Sequence, residues 1–249
     1  MYRYKLTLAY DGTDYYGWQW QPDKRTIDTV LRATIKRVFR QKQIYCVAAS
    51  RTDAGVHAIG QVVRIQMNLL LDVDKMKWVL NNALPSDIRI QSIKQCDKEF
   101  HPQHKVQLKT YVYTLFLEGP SIFEQRFGWD VSSKRLPLLK LEKALKYFEG
   151  THDFSYFATS LADADPLKTI ESISTQHEQG KLKIEIKGTS FLHTMIRRIV
   201  GAALTVALEG DMPVSYIKDM LEKKAVYQKL MYTAPAKGLC LKSIRYKKD

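Results

Sequence analysis

Residues 3–10 read RYKLTLAY, and their side chains alternate. Tyr4, Leu6, Leu8 and Tyr10 fall on one side of an extended chain, and Arg3, Lys5 and Thr7 on the other, the period of a strand with one face in a core. Asp11-Gly12 then marks a turn. Such a strand needs neighbours, and the next ninety residues contain them.

Ile27, Val30, Leu31, Thr34, Ile35, Val38 and Phe39 recur at helical spacing, while Arg32, Lys36, Arg37 and Arg40 lie mainly off that stripe. This predicts a helix with one apolar and one basic side. Residues 43–49 read as a strand, and 61–67 as a second in which Val63, Ile65 and Met67 alternate. Residues 72–83 read as a helix and 88–95 as a strand. The order β-α-β-β-α-β is the ferredoxin-like arrangement shared with RNA-recognition modules.

The rhythm repeats. In residues 109–117, Tyr111, Tyr113, Leu115 and Leu117 share a face. A helix over 138–148 follows, then strands over 169–176 and 181–187, the second alternating strictly as KLKIEIK. Helices over 191–208 and 215–221 and a strand over 239–246 complete the series. The expected class is therefore α+β: two related ferredoxin-like, RRM-like halves with largely antiparallel sheets, residues 1–104 and 105–249. No low-complexity linker separates them, and residues 103–109 are too short to tether independent modules. The halves are expected to join rigidly across a central catalytic cleft.

Hydrophobic residues make up 45% of the 249 and charged residues 26%, a globular balance rather than a disordered one. Thirty-nine Lys and Arg against 26 Asp and Glu give a formal charge of +13, which favours a polyanionic partner. The opening residues have no apolar core of a secretory signal. The most apolar region, 191–208, carries Arg197 and Arg198 near its middle, so no membrane span is expected. Cys46, Cys96 and Cys240 are far apart, with neither zinc-ribbon nor disulfide spacing, as in a reduced cytoplasmic protein. His101 and His104 in FHPQH have Pro102 between them and no evident third ligand, so no metal is assigned. GxxxxGK[ST], GxGxxG after the first strand and HExxH are all missing, so nucleotide hydrolysis, dinucleotide binding and zincin chemistry lose their usual support in the sequence.

Residues 48–58, AASRTDAGVHA, place one carboxylate two positions from an arginine in a loop. Asp53 can serve the backbone of a turn whose Gly55 takes a positive φ, or it can be a nucleophile or general base kept ionised by Arg51. The aromatics of YDGTDYYGWQWQ (10–21) and YVYTLF (111–116) can be core residues or stacking faces for unpaired bases. Arg197 and Arg198 can snorkel to water or pair with a carboxylate or a phosphate. The local sequence leaves each pair of readings open.

SRTDAGVHAIGQV (50–62) resembles the signature loop of the bacterial tRNA pseudouridine synthase A family. The likeness extends through YDGTDYYGWQWQ, NNALPSDIRI (81–90), Phe100-His101, KTYVY (109–113), GTHDFSYF (150–157), FLHTMIRRIVGAAL (191–204) and APAKGLCL (234–241). The chain departs from the family pattern at Ser50, Gln103-His104, Lys109 and Leu230-Met231.

By that resemblance Asp53 is the catalytic aspartate and Arg51 the arginine that displaces and replaces the flipped uridine. Tyr111 is the tyrosine against the base, Arg197 the basic partner of the aspartate and Leu239 an apolar wall of the pocket. The resemblance further implies cofactor-free isomerisation of uridine to pseudouridine at positions 38, 39 and 40 of the tRNA anticodon arm by a cytoplasmic homodimer. Two rivals remain: a non-catalytic RNA-binding protein on the same scaffold, which would gain nothing from a carboxylate among phosphates, and a carboxylate-based hydrolase, for which no motif places a second acid.

Overall fold

The computed structural model describes residues 1–161 and 164–247. It divides into two compact units, Met1–Gln107 with Cys240–Asp249, and Leu108–Leu239.

In the first unit β1 (Tyr2–Tyr10) is followed by α1 (Ile27–Phe39), β2 (Tyr45–Ala48), β3 (His57–Met67), α2 (Val73–Ala83) and β4 (Ile88–Gln95). β1 lies between β3 and β4, antiparallel to both, and β2 pairs with β3, giving the ferredoxin-like order β4-β1-β3-β2. The alternation of residues 3–10 sets the register. Leu6 faces Val63 and Ile93, and Tyr4 faces Ile65, so one side of the sheet is apolar. A bulge between Thr7 and Leu8 steps the register so that Leu8 meets Ile90 and Tyr10 meets Ile88, keeping the inward face inward. Leu31, Ile35, Met76 and Leu80 of the two helices are buried with it.

Each helix starts where its cap dictates. The Thr26 hydroxyl accepts the Thr29 N–H at 3.2 Å, and the Asp72 carboxylate accepts that of Lys75 at 2.8 Å. Arg32, on the polar side by spacing, does more than face solvent. Its Nε lies 2.8 Å from both oxygens of buried Asp28, and its other nitrogens donate to the Ile44 and Cys46 carbonyls at 2.8 and 2.7 Å. That guanidinium ties α1 to the chain entering β2.

Next along the chain come β5 (Val106–Phe116), β6 (Trp129–Asp130), α3 (Leu138–Lys146), β7 (Gly150–Asp153), β8 (Leu167–Glu178), β9 (Lys181–Gly188), α4 (Met195–Leu208), α5 (Ser215–Leu221) and β10 (Leu239–Tyr246). In the second unit β9 lies between β5 and β8, antiparallel to both, as β3 lies between β1 and β2. Tyr111 faces Ile186, which faces Ile173 on its other side. Short β7 extends the edge at β8, and two-residue β6 runs parallel to the end of β5. Phe148, Phe154 and Phe157 form a buried ring cluster beneath.

The α+β class and the repeated element order agree with the sequence reading. Several details differ. The helix expected over 191–208 begins at Met195, because Thr194 takes a left-handed φ of 60°. Phe191 is thereby freed to meet the Tyr111 ring edge-on, 5.4 Å between centroids. The terminal strand, assigned by sequence to the second half, lies with the first unit: Cys240 and Leu241 pair in parallel with His57 and Ala58 of β3. β6 and β7 are too short for periodicity to reveal. Among the described residues no helix is long and apolar enough to cross a membrane.

Candidate active site

Asp53 stands in the loop joining β2 to β3. The backbone turns sharply after it: the Asp53 carbonyl accepts the Val56 N–H at 3.1 Å, and Gly55 has the positive φ, 76°, anticipated from sequence. The Gly55 part of the turn reading therefore holds. Asp53 is half-buried between buried Thr52 and exposed Ala54, and Arg51 is exposed.

The loop is held from two sides. On one, Gln61 of β3 is fully buried. Its Oε1 accepts the Ser50 N–H at 3.2 Å, and its Nε2 donates to the Ser50 carbonyl at 2.7 Å and to the Tyr10 hydroxyl at 3.3 Å. Tyr10 Oη lies 2.8 Å from Thr52 Oγ1, a bond in which either hydroxyl can be the donor.

On the other side runs the segment after β1. Trp18 N–H donates to the Thr52 carbonyl at 3.0 Å, and Gly55 N–H to the Tyr15 carbonyl at 3.2 Å. Gly12 N–H donates to Nδ1 of buried His57 at 3.0 Å, making this histidine a packing element. The segment can come this close only because it is glycine where it touches. A Cβ on Gly12 would lie 2.0 Å from the Val56 carbonyl oxygen.

The aromatics of YDGTDYYGWQWQ therefore divide by task. Tyr15 and Trp18 are buried and brace the loop, whereas Tyr16 and Trp20 are exposed, with Lys24 Nζ 4.5 Å from the Tyr16 ring. Tyr15 donates to Asp87 at 2.6 Å, and Arg25 caps both, 3.4 Å from the Asp87 carboxylate and 4.3 Å from the Tyr15 ring. Burial and the Asp87 hydrogen bond push the Tyr15 pKa up, so it remains a neutral donor. Asp87 is the acid of NNALPSDIRI, which gives that motif a supporting role.

In the second unit Tyr111 and Tyr113 share a face of β5, and their tasks also differ. Tyr113 is fully buried, and its hydroxyl donates to the Pro235 carbonyl at 2.8 Å. Tyr111 is buried edge-on to Phe191. Arg197 Nε donates to the Ala234 carbonyl at 2.8 Å, and Ala234 N–H returns a bond to the Arg197 carbonyl at 3.1 Å. Tyr113 and Arg197 thus both hold the segment that runs into Leu239, which is buried. Arg198 Nη1 donates to the Tyr156 and Ala158 carbonyls at 3.1 and 2.9 Å, and burial lowers its pKa. Both arginines bind backbone carbonyls instead of simply snorkelling.

Arg51 and Asp53 therefore share one loop of the first unit, while Tyr111, Arg197 and Leu239 belong to the second. The sequence does not single out Gln61 and Thr52 as braces, and it marks Tyr10 only as an inward strand residue. Gln61 carried a signal: it sits in phase with Val63, Ile65 and Met67, a polar residue at an inward position. Among the described residues no three His, Cys, Asp or Glu side chains are grouped to hold a metal ion.

The aspartate stands on a rigidly braced loop beside a ferredoxin-like sheet, and it is the relatives in sequence that assign the class, an isomerase of the pseudouridine synthase kind. The family described as tRNA pseudouridine synthase matches residues 7–105 and 144–247. The relatives named tRNA pseudouridine synthase A agree. That of Phytoplasma mali is 38% identical over 98% of this chain and 99% of its own length. Those of Thermodesulfovibrio yellowstonii and Acetivibrio thermocellus are each 36% identical, over 99% and 97% of this chain and 100% and 98% of theirs. The chain belongs to the tRNA pseudouridine synthase family.

Proposed function

We propose that this protein isomerises uridine to pseudouridine at positions 38, 39 and 40 of the tRNA anticodon arm, with Asp53 as the essential carboxylate. The C1′–N1 bond breaks, the uracil turns while held, C5 bonds to C1′, the C5 proton is released, and N1 takes up a proton from water. Addition of the aspartate to C6, attack at C1′ and removal of the C2′ proton are three routes to that outcome, and each begins with an ionised carboxylate. The observation that supports the reading is the doubly braced loop, which fixes the backbone that carries Asp53.

The target base leaves its stack at a cost of a few kcal/mol, which protein contacts offset. Exposed Arg51 fills the space the base vacates, Tyr111 contacts the uracil, Arg197 is the cation for the aspartate and Leu239 an apolar wall. These roles rest on the family motifs together with the anchoring seen at Tyr111 and Arg197. The protein works as a cytoplasmic homodimer, and its charge of +13 suits a polyphosphate substrate.

The test is release of tritium from tRNA labelled at uridine C5. Wild-type protein is expected to release label from positions 38–40. Binding of the tRNA without release would overturn the enzyme reading.

A further inference from the structure

The crossover FHPQH (100–104) is not used by the chemistry above, yet it walls a cavity of about 510 Å³ in the first unit. That is within the range of ligand sites, about 300–1,000 Å³. Lys5, Lys105, Lys247, His101, His104 and Tyr246 line it. The cavity opens on the face of β1 opposite the apolar one, since Lys5 alternates with Tyr4 and Leu6.

Its walls are fixed. Tyr246 Oη donates to the Pro102 carbonyl at 2.8 Å, and Lys247 N–H to that of Lys105 at 3.0 Å. The Tyr246 and Phe100 rings meet at 66° with centroids 5.5 Å apart, and Lys5 Nζ lies 4.5 and 5.1 Å from them. His101 and His104 stack at 4.1 Å.

The charges are arranged unfavourably for an empty surface. Lys5 faces Arg64 across one strand pair and Lys94 across the other. Like charges directly opposite repel, and among the described residues none of these three is ion-paired with a carboxylate. Asp97 and Glu99 also line the cavity, both exposed. A phosphate at Lys5 would offset the repulsion, and stacked rings beside a cation are how unpaired nucleotides are held.

We propose that this cavity is a second RNA subsite, one that takes an unpaired nucleotide with its phosphate at Lys5 and its base against the His101–His104 stack. Gln103 Nε2 donates to the Ala48 carbonyl at 2.9 Å, tying the subsite to the end of β2 two residues before Ser50. The loop that walls the subsite is thus bonded to the strand that leads into the Asp53 loop. The proposal shares the RNA class of substrate with the reading above but needs no isomerisation.

The experiment measures binding of fluorescein-labelled hexauridylate to the full-length protein across a salt series. Lys5→Gln is expected to weaken binding five- to tenfold and to reduce the slope of log K against log salt by about 0.7, one single-strand phosphate contact. Lys5→Arg should keep the slope. His104→Ala, at an exposed side chain, should weaken binding three- to fivefold with the slope unchanged. Unaltered affinity in both Lys5→Gln and His104→Ala overturns the subsite, as does inorganic phosphate competing with the same Lys5 dependence and no dependence on His104. Tritium release is scored separately: a protein that releases none yet shows these binding changes loses the enzyme reading and keeps the subsite.

Discussion

Gly17 and Thr52 make a contact that only glycine permits: a Cβ at position 17 would lie 2.6 Å from the Thr52 carbonyl oxygen, and the backbone there has φ 81°. Gly17→Ala therefore adds a steric collision to a left-handed backbone that costs about 1–3 kcal/mol for a residue with a side chain. The loop holding Asp53 must shift to relieve it. Tritium release from tRNA is expected to fall at least tenfold, with urea unfolding showing a loss of about 2 kcal/mol or more. Wild-type turnover in the variant would show that the loop tolerates displacement.

Gln61 satisfies Ser50 on both its N–H and its carbonyl and also donates to Tyr10. Gln61→Leu fits the strand but removes all three bonds, each worth about 0.5–1.5 kcal/mol. Because Gln61 acts by positioning the loop, kcat should drop ten- to a hundredfold while KM stays within about threefold. A fall in thermal stability with unchanged kcat would reduce Gln61 to a purely structural residue.

The fold was legible where burial follows a period. Tyr4, Leu6 and Leu8 alternate because one side of β1 is core, and residues 88–95 and 215–221 were read with the bounds observed for β4 and α5. It was illegible where a tertiary contact decides. Residues 191–194 continue an apolar helical stripe, but Phe191 is claimed by Tyr111 and Thr194 turns left-handed, so α4 starts late. β3 begins at His57 rather than 61, because its first residues pair with Cys240 and Leu241 on one side and, past a bulge, with Tyr10 on the other, which no local pattern announces. At the site, Asp53 stood out through its loop and its family motif. Its braces did not, since Tyr15 and Trp18 look the same in sequence as exposed Tyr16 and Trp20; only the folded segment separates them.

Asp53→Asn keeps the shape of the side chain and removes its charge. Tritium release should vanish to background, while tRNA affinity stays within about tenfold, because phosphate contacts dominate binding. Arg197→Ala should lower turnover more than affinity, and it also severs the Nε bond to the Ala234 carbonyl. Equal turnover by Asp53→Asn and wild type would take the aspartate out of the reaction. An unchanged rate in Arg197→Ala would assign the cation's role to another side chain.

Lys109, a titratable group on β5, faces Gly188 across β5 and β9. Burial lowers its pKa from 10.5 to about 8. Below about pH 8 the ammonium is charged in both folded and unfolded chains, and its desolvation is a full cost to the fold. Between about pH 8 and 10.5 the folded chain has released the proton while the unfolded chain still binds it, so this group makes stability rise with pH. The shift corresponds to at most about 3 kcal/mol across that window. In urea unfolding at pH 7.5 and pH 10, the wild type should therefore gain stability relative to Lys109→Met, whose position no longer titrates. Taking the difference between the two proteins cancels the other groups that ionise over the same range. Parallel pH profiles would show that Lys109 keeps an ordinary pKa in the folded chain.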